Sequence, residues 1–100
     1  MTNHAHDDQI HVPESFLALY RDRANRPTLD RRALIARYDL CEDLAQQLVE
    51  LAREVHHGQG VAEDEVLARC RRGLLAEPAQ VSAAEAAWME RRLAELMGWA

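Results

Sequence analysis

Residues 29–57 of this 100-residue chain run for twenty-nine positions without a glycine or a proline, and nothing else in the sequence constrains the fold as strongly. Counting in sevens from Leu34 places Leu34, Cys41, Leu48 and Val55 in one column. Three residues further on stand Arg37, Leu44 and Leu51, with Tyr38, Ala45 and Ala52 beside them and Asp39, Gln46 and Arg53 opposite. This period predicts one amphipathic helix. Its apolar stripe is wider than the two-column seam of an isolated zipper and suits packing against other helices. Thr28 is placed to cap its start and Gly58 to end it in a left-handed conformation.

At 1.5 Å per residue that helix spans ~43 Å, whereas a compact domain of this size is roughly 33 Å across. Apolar surface on the excess must be covered, and a second copy of the chain is the simplest cover. Unless the helix kinks or frays, the sequence therefore predicts a homodimer with Leu34, Cys41, Leu44, Leu48, Leu51 and Val55 as the core or dimer seam.

Three shorter helices are expected around it. Pro13 suits the first turn of a helix over 13–23, in which Phe16, Leu17 and Tyr20 share a face, and Asn25-Arg26-Pro27 breaks it. A helix over 62–72 has Glu63, Asp64 and Glu65 in its first turn and Arg69, Arg71 and Arg72 in its last, as the helix dipole favours. Gly73 ends it, and 75–80 reads as a connector. Ser82-Ala83-Ala84-Glu85 is a capping box for a last helix running to Met97, with Val81 and Ala86 as a staple and Gly98 as its stop. Its inner stripe is Ala86, Met89, Leu93 and Leu96. Trp88 lies off that stripe, placed either to anchor a partner or to cover the end of the long helix. Seventeen Ala and thirteen Leu against five aromatics agree with an all-α fold. The expected organisation is a flexible tail over 1–11 and a single four-helix domain over 12–100.

The inventory excludes several chemistries. All twelve basic residues are Arg, so no phosphate-loop lysine or Schiff-base lysine exists. The two serines and four scattered glycines supply neither a set of nucleophiles nor a phosphate cradle. The net charge is −5 but is distributed in blocks. Six Arg face three Asp over 21–41, seven acids face Arg53 over 42–68, and Arg69, Arg71 and Arg72 restore positive charge. Cys41 and Cys70 form no C-x-x-C pair and read as buried, reduced thiols. With neither an apolar leader nor a run of ~20 apolar residues, a cytoplasmic location without membrane contact is expected.

Histidine invites metal readings at two places. Thr2-Asn3-His4, with Met1 removed, is a nitrogen set suited to square-planar Cu(II) or Ni(II), though three residues define it weakly. His56 and His57 could recruit only Cys70 as a further ligand, and imidazoles at a helix C-terminus are well explained by its negative dipole end. No metal or cofactor is expected.

Four stretches carry a family resemblance: Val12-Pro-Glu-Ser-Phe-Leu-Ala-Leu-Tyr20, Arg37-Tyr-Asp-Leu-Cys-Glu-Asp-Leu-Ala-Gln46, Arg69-Cys-Arg-Arg-Gly-Leu-Leu-Ala-Glu77 and Ala87-Trp-Met-Glu-Arg-Arg-Leu-Ala-Glu-Leu96. Through them the chain resembles a family of small proteobacterial proteins of uncharacterised function, often labelled "ATPase with chaperone activity". Since the residues contain no ATPase machinery, the resemblance implies an accessory to a separate ATP-driven chaperone. The expected function is a non-catalytic helical protein–protein interaction module, with Trp88, Arg91, Arg92, Arg69 and Arg72 as candidate partner-binding residues. The alternative is a nucleic-acid-binding regulator using the Arg-rich segments 21–37 and 69–72. The acidic total and the ten-residue spacing of the last two helices oppose it.

Overall fold

A computed structural model describes residues 11–76 and 81–100. The expected tail lies outside the described residues except for His11, and so does the Thr2-Asn3-His4 motif. The described chain is helical with no strand, and its four helices come in order. Helix α1 covers Glu14–Leu17 and continues as a 3₁₀ turn over Ala18–Tyr20. Helix α2 covers Arg31–Arg53 and continues without a break as a π turn over Glu54–Gly58. Helix α3 covers Glu63–Ala76 and helix α4 Ala83–Met97. The chain divides into two compact units at Leu40 and Cys41.

In the first unit, α1 is shorter than its periodicity suggests. Pro13 is not in the first turn but precedes it as the cap residue, with an extended ψ of 151°. The helix stops at Tyr20 because the next residues have better partners than another turn offers. The Asp22 carboxylate accepts the amides of Ala24 and Arg26, both at 2.9 Å. Arg21 bridges to Pro27, and the Thr28 amide donates to the Tyr20 carbonyl at 2.8 Å. Asn25 makes the reversal in the left-handed region at φ 64°, a conformation Asn tolerates better than most residues. Phe16 is fully buried and sits edge-on to Tyr38, with ring centroids 5.5 Å apart.

Thr28 is committed to that loop, so the cap of α2 passes to Asp30. Its carboxylate accepts the Ala33 amide at 2.8 Å, and its carbonyl accepts that of Leu34 at 2.9 Å. At the far end Gly60, not Gly58, takes the left-handed conformation, at φ 72°. The π turn contains one residue more than an α turn, which moves the exit downstream. The Gly60 amide reaches the His56 carbonyl and that of Val61 reaches Val55, at 3.1 and 3.3 Å. Each spans one residue more than an α-helical Schellman closure.

The second unit holds a core of Ala52, Val66, Cys70 and Leu93, with Leu48, Val49, Val55, Val61, Leu67, Met97 and Trp99 packed against it. Ala45 and Ala52 are completely buried. They add no bulk beyond Cβ, and Leu44 and Leu48 beside them are only half-buried. Helix α3 passes straight through Gly73 to Ala76, because Leu74 is buried and packing outweighs the weak helix preference of one glycine. Leu75 and Ala76 are therefore helical, and the rest of the expected connector, 77–80, lies outside the described residues. Helix α4 forms the expected capping box, with the Ser82 hydroxyl accepting the Glu85 amide at 3.0 Å and the Glu85 carboxylate accepting the Ser82 amide at 2.9 Å. Gly98 ends it at φ 76°.

Candidate functional site

Between the C-terminal part of α2 and α3 runs an open apolar groove of about 430 Å³, lined by Leu48, Leu51, Val55, Val66, Arg69, Cys70, Gly73 and Leu74. Spacing explains its composition. Leu48, Leu51 and Val55 recur at three and four residues on α2, as Val66, Arg69, Cys70, Gly73 and Leu74 do on α3, so each helix turns one line of side chains to the same cleft. Gly73 leaves one wall low, with no atom within 4 Å of where a Cβ would stand. The volume falls within the range of ligand and peptide clefts.

Leu51 is the exposed large apolar side chain of this groove, with 52 % of its surface open. Leaving half of a leucine in water forgoes about 1 kcal/mol of burial. Leu75, also on α3, is 46 % exposed. Cys70 lies in the groove wall as a free, buried thiol. Burial first, and the charge of Glu90 second, push its pKa above the ordinary thiol range, which keeps it protonated and a poor nucleophile.

The expected seam thus separates into two parts. Leu34 and Cys41 are buried within the chain, with Cys41 free of any disulfide. Leu44, Leu48 and Val55 are half-buried and Leu51 is exposed. Only the lower end of the seam remains open to a partner.

The other candidate residues fare differently. Trp88 is 4 % exposed, so a surface anchor at that position is corrected to an interior residue. The reason is that α4 buries Glu85, Ala86, Trp88, Met89, Leu93 and Ala94. These positions occupy much more of its circumference than a single inner stripe. Arg91 is exposed. Arg92 is held by Glu42, with Nε donating to Oε1 and Oε2 at 2.9 and 3.2 Å, Nη2 to Oε2 at 2.9 Å, and Nη1 to Glu95 at 3.2 Å. These hydrogen bonds hold the Glu42 carboxyl below the usual range against the opposing effect of burial, and raise the Arg92 pKa. Arg69 and Arg72 both reach Glu65, each at 3.1 Å, and lower its pKa. In the Arg-rich segment 21–37, Arg21 pairs with Glu14 and Arg26 with Asp22.

His56, inside the π turn, donates Nδ1–H to the Val61 carbonyl at 2.7 Å, since that carbonyl can only accept. Its ring meets Trp99 edge-on with centroids 4.9 Å apart. Among the described residues no group of three or more His, Cys, Asp or Glu side chains is placed to hold a metal ion, and no helix is long and apolar enough to cross a membrane. Sequence reasoning missed the groove because its signal, Leu48, Leu51 and Val55 at helical spacing, was the same as that of a filled core. No family model, curated protein or solved structure matches the chain.

Proposed function

We propose that this chain is a non-catalytic helical interaction module that works in the cytoplasm as a homodimer and as an accessory to an ATP-dependent chaperone. The observation that carries the reading is Leu51, half exposed at the mouth of an apolar groove. Such a cleft fits the apolar face of another helix, which anchors through side chains three and four residues apart. The chaperone connection rests on the family resemblance of the four sequence stretches, and the lack of lysine and of a phosphate loop makes the accessory role the version compatible with these residues.

Nucleic acid is the less favoured partner. Arg21, Arg26, Arg69, Arg72 and Arg92 are engaged with carboxylates, so phosphate contact would first have to break those pairs. Sedimentation of the purified chain, alone and mixed with ATP-dependent chaperones of its host, tests the proposal. The mass of two chains is expected for the purified chain alone, and a larger mass in the mixture. A chain that sediments as a monomer in every mixture overturns it.

A further inference from the structure

We infer that the groove is filled by a second copy of this chain, related by a twofold axis running along the groove, with the two α2 helices side by side and parallel. The inference rests on the proposed interaction role and specifies the occupant and its orientation. It is supported by shape and by charge independently.

The shape argument concerns one ridge and one hollow. Leu51 stands out from α2 with half its surface exposed, while Gly73 leaves the opposite wall low and open. A closed pair of identical chains uses the same patch twice. A twofold axis across the groove would return each ridge onto the other ridge and each hollow onto the other hollow. An axis along the groove, displaced toward α2, seats Leu51 of each copy in the hollow of the other.

Charge selects the same axis. Beyond Leu51, the flank of α2 carries Asp43, Gln47, Glu50 and Glu54, all exposed and spaced by four, three and four residues into one stripe. Arg53 partners Glu50 at 2.8 Å, which leaves the stripe with three carboxylates against one guanidinium. On the far flank the exposed edge of α3 is positive, because Arg69 and Arg72 share the single carboxylate of Glu65. With the axis along the groove, the acidic stripe of each copy meets the arginine edge of the other, twice over. With the axis across it, acid meets acid and arginine meets arginine, an arrangement that like-charge juxtaposition penalises.

Sedimentation equilibrium and spin-label distances on the full chain test the arrangement, with circular dichroism confirming that each variant is folded. Leu51→Arg places charge in the partner's hollow. Gly73→Leu fills that hollow from a position where an added Cβ meets nothing within 4 Å in the single chain. Each is expected to weaken the dimer about 30-fold or more, the effect of losing one hot-spot contact. Glu50→Arg/Glu54→Arg should weaken it, and adding Arg69→Glu/Arg72→Glu to the same chain should restore it. Labels at Asp43→Cys should lie at the same height in the two copies. An antiparallel pair centred on Leu51 would instead separate them by about 24 Å along the helix axis. A dimer indifferent to Leu51→Arg and Gly73→Leu, a fourfold reversal that does not restore association, or the antiparallel label distance overturns this arrangement while leaving the interaction role in place. A folded chain that stays monomeric alone but joins a chaperone overturns the arrangement and the homodimer, and leaves the accessory role in place. One that stays monomeric in both settings overturns the two together.

Discussion

Replacing Arg92 with methionine isolates one tie between distant parts of the sequence. Arg92 on α4 and Glu42 on α2 are fifty residues apart, and three hydrogen bonds of 2.9–3.2 Å join them. Methionine keeps most of the apolar stem and removes the guanidinium, so Glu42 retains only the Gln46 amide, at 2.8 Å. An exposed pair contributes ~0.2–1 kcal/mol, and a hydrogen bond to a charged group ~1.5–3 kcal/mol. The side chains here are 31 % and 17 % exposed, between those cases, so the expected loss is about 2 kcal/mol. In a chain of this size that lowers the melting temperature by about 10 °C.

The effect must also depend on pH, with a defined sign. Because Arg92 holds the folded-state pKa of Glu42 below its ordinary value, the stabilisation is fully present above the unfolded pKa of ~4.3 and is lost as pH falls through the folded one. Thermal unfolding followed by circular dichroism at neutral pH and at about pH 3 reads both quantities. The gap between the parent chain and Arg92→Met should be widest at neutral pH and should narrow in acid. A gap below about 2 °C at neutral pH, or one that is equally wide in acid, refutes the assignment of this pair as a partly buried, charge-assisted tie.

Three further outcomes are expected. Ser82→Ala removes the hydroxyl that accepts the Glu85 amide and should cost about 1 kcal/mol by denaturant titration; an unchanged midpoint would show that the cap contributes nothing. Gly98→Ala forces a side chain into a φ of 76° and should cost about 1 kcal/mol or slightly more in the same titration, so an equal or higher midpoint contradicts the left-handed stop. The thiols of Cys41 and Cys70 should react with an alkylating reagent only on unfolding, since both are buried and the Cys70 pKa is raised. Rapid labelling of the native chain by mass spectrometry would contradict that burial.

Legibility from sequence tracked the range of the interactions involved. The Ser82–Glu85 box and the Gly98 stop depend on groups within a few residues, and the sequence shows them directly. Thr28 and Asp30 are both acceptable caps, and the choice between them was made by the Thr28 amide bonding to Tyr20 across a loop. Gly73 reads as a stop until the burial of Leu74 is known. The long helix was visible in its period, but the groove was not. The core takes in Ala52 while Leu51 beside it stays exposed, and a helical wheel treats small and large apolar residues alike. For Trp88 the sequence left two placements open, and its burial rules out the surface anchor, which one inner stripe could not do because it says nothing of what covers the other faces of α4.

The π turn at Glu54–Gly58 has an evolutionary corollary. A loop of backbone closed by i→i+5 bonds accommodates a surplus residue, so excising one residue there returns the turn to ordinary α spacing while the downstream chain keeps its phase. The same excision at Ala45 would swing every later side chain by about 100° around the helix and turn the Leu48 line away from its neighbours. Loss of a single residue is therefore better tolerated at this turn, next to the His56–Trp99 contact, than at Ala45 in the middle of the rod.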